Sequence, residues 1–183
     1  MTTKLRHPRR PVRKLGVTGL SLAATRGKLR LGVLHLPCAL GRGGRRAGKR
    51  EGDGATPLGT WRVRDVLYRA DRTQRPRTRL PVKEIGFNDG WCDAPGDRNY
   101  NRPVRHPYPA SAERLWREDD LYDIVVVLDY NLRPRVRGKG SAIFMHVARP
   151  GYCPTEGCIA LRREHLLRVL ARLAPGAVIR TAP

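Results

Sequence analysis

The sequence predicts a mainly β domain, a β-sandwich-like fold of mixed sheets with one amphipathic helix near its C-terminus. Three observations lead there. Short apolar runs, alternating with a period of two or unbroken and rich in valine and isoleucine, recur between turn-rich segments. Only RREHLLRVLARLA, at 162 to 174, spaces its leucines (166, 167, 170 and 173) at helical intervals. The 183 residues contain no internal repeat and no second compositional regime, so one domain accounts for the chain.

The elements follow in order. Residues 1–14, MTTKLRHPRRPVRK, read as a flexible basic arm, and 15–183 as the single domain. LGVTGLSLAA follows the arm and resembles the apolar part of an export signal. Gly16, Thr18, Gly19 and Ser21 interrupt it, and Leu15, Val17, Leu20 and Leu22 alternate imperfectly, as in a half-buried strand. On sequence alone the protein is therefore placed in the cytoplasm, the periplasm being the alternative if this stretch is an unrecognised export signal. TRGK at 25 to 28 reads as a hairpin turn into the strand LRLGVLHL. The glycine-rich residues 41–60 lack the spacing of a phosphate-binding loop and lead into a strand, TWRVRDVLY. Residues 71–110, polar and dotted with proline, predict a long structured loop, either a surface excursion or a wall of a binding site. LYDIVVVLDY at 121 to 130 reads as a strand buried on both faces, with SAIFMHV at 141 to 147 as its partner. Pro175 and Gly176 stop the helix, and AVIRT forms a last short strand.

Composition narrows the function classes. Lys and Arg number 37 against 16 Asp and Glu, a net charge of +21, and with six lysines the other 37 − 6 = 31 cations are arginines. They are scattered rather than gathered on one segment, and 6% aromatic content leaves few platforms for stacking bases, so nucleic acid is disfavoured as a partner. The same charge attracts an anionic substrate. Mean hydropathy is −0.52, and no run reaches the roughly 18 to 20 apolar residues of a membrane span. Four cysteines are too sparse for a disulfide scaffold, and Cys153-x4-Cys158 has no matching pair to complete a zinc site; no metal and no cofactor is expected.

The stretch HVARPGYCPTEGCIAL, residues 146 to 161, carries the chemistry. An unperturbed cysteine is only about 3% thiolate at neutral pH, so a nucleophilic one needs a base. Cys158 follows Thr155-Glu156-Gly157, where Gly157 permits a tight turn and backbone N–H groups are available to hold an oxyanion. His146 ends a predicted strand twelve residues earlier, within reach of Cys158 if the chain returns beside it. Taken singly, a core histidine and an inert buried thiol are the competing readings.

His146, then eight residues, then Thr155-Glu156-Gly157-Cys158-Ile159 resembles the signature of the YkuD-type L,D-transpeptidase catalytic domain. GDGATPLGTW at 52 to 61 is similar to that family's Thr-Pro-x-Gly-aromatic stretch, and the resemblance runs from about residue 15 to the C-terminus. It implies a β-sandwich-like fold and a cysteine enzyme acting on peptidoglycan stem peptides. Cys158 is then the nucleophile, His146 the general base, and the Gly157 and Cys158 amides the oxyanion donors. Transfer of the acyl group to an amine gives a transpeptidase. Transfer to water gives an L,D-carboxypeptidase of peptidoglycan recycling. A degenerate member would be a non-catalytic module binding cell-wall peptide or nucleic acid. Thr155, Arg149, Tyr100 and Asn101, with Arg102, are the expected substrate contacts. Cys38 reads as core, Cys92 as packed, and Cys153 as a bystander. Two positions depart from the family pattern: Val147 replaces the usual glycine after the histidine, and Ala160 replaces the usual arginine two residues after the cysteine. Arg149 or Arg162 is the substitute available for that arginine.

Overall fold

The computed structural model describes residues 11 to 183; most of the expected basic arm lies outside the described residues. Strand β1 (Val12–Gly19) begins inside the stretch read as arm, and buries Leu15 and Val17 in the core. It forms an antiparallel meander with β2 (Arg26–Leu31) and β3 (Leu34–Ala39). Two expectations are corrected here. Leu20 and Leu22 are exposed in the first turn, which spans 20 to 25, so TRGK opens β2 instead of forming the turn. LRLGVLHL is two strands, because Gly32, at φ +60°, and Val33 make a two-residue hairpin between the paired Leu31 and Leu34.

The glycine-rich loop holds the short parallel pair β4 (Arg45–Arg46) and β5 (Thr56–Pro57), and then β6 (Gly59–Tyr68) runs as expected. The segment expected as loop is partly sheet. β7 (Val82–Glu84) lies parallel to β6, while β8 (Asp89–Cys92), β9 (Pro103–Arg105) and β10 (Ala112–Arg114) form a separate small sheet with β8 central. β11 (Ile124–Leu128) is wholly buried and pairs antiparallel with β12 (Phe144–Val147), the expected partner. β13 (Ile159–Leu161) joins β12 in parallel, followed by α1 (Arg163–Leu170) and β14 (Leu173–Thr181).

The helix is shorter than its leucine pattern. Leu173 is buried as the first residue of β14, and Pro175 and Gly176 lie inside that strand instead of ending the helix. The pairing passes from Val12 opposite Leu173 to Lys14 opposite Val178, so two steps on β1 span five on β14. Such a bulge accommodates a proline without an N–H and Gly176 at φ +72°.

The main sheet runs β11-β12-β13-β3-β2-β1-β14-β6-β7, and β6 also pairs with β11. All strands but β7 thus form a closed circuit. Alternation along β11, β12 and β13 divides their side chains between two cores. Ile124, Val126, Met145, Val147, Ile159 and Leu161 face the main core, which the helix seals with Leu166, Val169 and Leu170. Val125, Val127, Phe144 and Cys158 face a second core, under Ile85, Trp91, Leu115, Leu121 and Tyr122 of the excursion between β6 and β11, residues 69–123. The unbroken apolar run of β11 is therefore a strand covered on both sides.

Candidate active site

Parallel pairing sets His146 opposite Ala160, so alternation puts His146 and Cys158 on the same face, as diagonal neighbours on adjoining strands. A tight turn delivers Cys158 to β13. Thr155 Oγ1 accepts the Gly157 amide at 3.2 Å and donates to the Cys158 carbonyl at 2.7 Å. Gly157 has φ +127°, and a Cβ there would stand 2.7 Å from the Ala55 carbonyl oxygen, so only glycine fits. The glycine-rich loop buttresses this turn, since the Thr155 carbonyl accepts from the Arg42 amide at 2.8 Å while the Thr155 amide donates to the Leu40 carbonyl at 2.9 Å.

The Cys158 thiol is buried; it donates to the Ala142 carbonyl at 3.2 Å and accepts the Phe144 amide at 3.4 Å. Burial, reinforced by the charge of Glu113, pushes its pKa up to about 12, against the Phe144 amide. His146 is also buried, and its Nδ1 lies 2.8 Å from the Val147 carbonyl oxygen. A carbonyl only accepts, so Nδ1 carries the proton and Nε2 is left as the basic nitrogen. Burial brings the imidazole down to about 4; Arg117 and Arg149 push the same way and the Val147 carbonyl opposes them. The resting pair is thus a neutral thiol and a neutral imidazole. The Tyr122 ring packs edge-on against His146, centroids 5.3 Å apart, and its hydroxyl donates to Glu113 Oε1 at 2.6 Å.

Both reactive groups line a cavity of about 350 Å³, together with Tyr122, Ala142, Glu113 and Asp93. Of the expected substrate contacts, Arg149 is exposed on this cavity, with no ion pair among the described residues. Arg162 is not on it; its guanidinium lies 5.7 Å from the centroid of the Tyr152 ring. Thr155 reaches the cavity, but its hydroxyl is committed to the turn.

Tyr100 and Asn101 do not line this cavity; both are buried and their polar atoms are engaged. The Tyr100 hydroxyl donates to Glu51 Oε2 at 2.6 Å and accepts the Gly140 amide at 2.9 Å. Asn101 Oδ1 accepts from Trp91 Nε1 (2.9 Å) and the Ala142 amide (3.1 Å), while its Nδ2 donates to the carbonyls of Tyr130 (3.1 Å) and Asn131 (2.8 Å). They hold the loop whose Ala142 carbonyl receives the thiol. Arg102 lines a different cavity.

Cys38 and Cys92 are buried, and Cys153 is an exposed free thiol at the rim. Both departures from the family pattern have a clear place. Val147 points into the main core, away from the cavity, whereas Ala160 lines the cavity itself. Sequence reasoning did not find Glu113, Asp93 or Tyr122, which come from the excursion and carry no local motif. Among the described residues no cluster of three His, Cys, Asp or Glu side chains is arranged to hold a metal.

A mixed-β domain presenting a cysteine from a Thr-x-Gly turn beside a carbonyl-oriented histidine has the layout of a cysteine-dependent enzyme domain. The family model for the L,D-transpeptidase catalytic domain, YkuD, matches residues 22–180, and the chain belongs to that family. Its structure is similar to the crystal structure of Mycobacterium tuberculosis L,D-transpeptidase 1, at 13% identity and a TM-score of 0.40. The match covers 93% of this chain and 62% of that one, so the chain spans less than two thirds of that structure. No curated protein matches the chain.

Proposed function

We propose that the protein is a cysteine L,D-transpeptidase acting on peptidoglycan tetrapeptide stems. The observation that carries this reading is the sharing of one cavity by Cys158 and a His146 whose Nδ1 is tied to a carbonyl, leaving Nε2 free to take a proton. The thiol swings from the Ala142 carbonyl to Nε2 and gives up its proton as sulfur attacks the carbonyl of the diamino acid. The oxyanion is held by the Cys158 amide and by the Gly157 amide once Thr155 releases it. The tetrahedral adduct collapses with cleavage of the C–N bond; His146 returns the proton to the leaving amine and D-alanine departs, leaving a thioester. An acceptor amine then attacks the thioester, passing a proton to His146, and the thiol is regenerated. General base catalysis of this kind contributes about 10²- to 10⁴-fold. Arg149, which forms no ion pair among the described residues, takes a substrate carboxylate in this reading, there being no arginine at position 160.

Mass spectrometry of the products from a tetrapeptide stem, with and without an added amine, tests the reaction. D-alanine release with a cross-linked product supports it, and release without cross-linking indicates transfer to water. Cys158→Ala is expected to abolish release while Cys153→Ala keeps most of the rate. Full activity in the Cys158 variant would sink the assignment.

A further inference from the structure

The cavity shared by Cys158 and His146 is also lined by acids that the acyl transfer does not use. Glu113 and Asp93 both line it. Glu113 belongs to β10, opposite Trp91 of β8, and Asp93 lies one residue beyond β8, its amide donating to the Ser111 carbonyl at 3.3 Å. Alternation on this small sheet directs both carboxylates to the same face. Cations outnumber anions 37 to 16 in this chain, yet among the described residues neither group forms an ion pair. Arg117, the nearby cation, is spent on Asp119 at 2.6 Å. Of the two other acids of the cavity, Glu51 is occupied by Tyr100 and Ser141, and Glu156 is paired with Arg42 at 2.8 Å.

The two free carboxylates are also incompletely satisfied. Among the described residues, Tyr122 holds Glu113 Oε1 and leaves Oε2 unbonded, and Asp93 Oδ1 is buried with no hydrogen-bond partner. A buried acceptor without a donor costs free energy that a ligand bearing N–H groups recovers. Burial keeps the Glu113 carboxyl above its usual range, against the Tyr122 hydrogen bond and Arg117, and the charges of Asp93 and Glu51 add to the rise. A cation bound between Glu113 and Asp93 relieves both conditions. Arg149 also lines the cavity, close enough to His146 for its charge to be felt there, and among the described residues it forms no ion pair. Ala160, in place of an arginine, adds no further cation to the lining beyond Arg117 and Arg149.

We infer that Glu113 and Asp93 form an ammonium subsite of this cavity, recognising the side-chain amine of the stem's diamino acid while Arg149 faces its side-chain carboxylate. This rests on the stem-peptide reading above. It makes Glu113 a specificity residue: the cavity reads a zwitterionic residue, acid against amine and base against carboxylate, and an uncharged side chain at that position leaves two acceptors unmet.

The test uses the Cys158→Ala protein, so that binding is read without turnover. Calorimetric titration compares a tetrapeptide stem with an otherwise identical one in which hydrogen replaces the side-chain ammonium. The ammonium-bearing stem is expected to bind about 10- to 100-fold tighter, the range for a hydrogen bond to a charged group. Adding Glu113→Gln, which preserves shape, should remove most of that preference by weakening only the ammonium-bearing stem. Equal binding of the two stems, or a preference that survives the substitution, overturns the subsite. A Glu113→Gln protein that loses both stems alike overturns it too, because the side chain then supports the cavity without reading the amine. If the wild-type enzyme releases no D-alanine although the Cys158→Ala protein prefers the ammonium-bearing stem, the proposed reaction falls and the subsite stands. Binding of neither stem removes both.

Discussion

Replacing Asn101 by alanine separates a structural role from a substrate contact. The side chain is 1% exposed and makes four hydrogen bonds, to Trp91, Ala142, Tyr130 and Asn131. At about 1 kcal/mol net for each, the substitution is expected to cost about 4 kcal/mol, less where water reaches the freed groups. Asn101 also holds φ +54°, which asparagine tolerates better than alanine, and this adds to the loss. The effect propagates to Cys158, because the Asn101 side-chain Oδ1 accepts the Ala142 amide and the Ala142 carbonyl receives the Cys158 thiol. Guanidinium unfolding measures the stability, and the rate at which a carbapenem acylates Cys158 measures the site. Both should fall together. A loss below about 1 kcal/mol with an unchanged m-value, or a changed KM alone, would refute the reasoning and return Asn101 to the substrate side.

Two further outcomes follow from the site. His146 has its pKa lowered from 6.5 to about 4, so on acidification the unfolded chain takes up the proton before the folded one does. Stability from this group therefore falls as pH drops from 6.5 toward 4, by about 3 kcal/mol, and levels off below. Unfolding free energies of the wild type and of His146→Gln over that window should differ by this slope; parallel curves would contradict it. Gly157→Ala should abolish acylation and destabilise the protein by about 1 to 3 kcal/mol, because φ +127° and the Ala55 carbonyl leave no place for a methyl group. An active Gly157→Ala enzyme would show that the turn rearranges.

How much of this was legible in the sequence depended on how local each signal was. β11 declared itself because five consecutive buried residues leave no polar face, and Cys158 with His146 was legible because both lie on one short stretch of chain. The split of LRLGVLHL was not, since Gly32 inside an apolar run reads equally as part of a strand. Leu173 extended the helical pattern, but tertiary pairing with β1 claimed it for a strand. Tyr100 and Asn101 looked like loop residues free to touch a ligand; within the folded excursion both are buried and hold the neighbouring loop. Glu113 and Asp93 were invisible for the opposite reason. Pairing of β8 with β10 brings their neighbourhoods together across about twenty residues of polar chain, and no local pattern announces such a contact.

The closed circuit of the main sheet has a consequence for how the molecule opens. β11, β12 and β13 each have hydrogen-bonded neighbours on both sides, so the strand bearing His146 and the strand that follows Cys158 offer no free edge at which to peel. Amide hydrogen exchange should be slowest there and faster in the excursion carrying Glu113, which is held by short strands and loops. Cys158 and His146 thus sit on the rigid part of the protein, and Glu113 and Asp93 on the more yielding part. A fluctuation of the excursion would displace the two carboxylates while Cys158 and His146 keep their register.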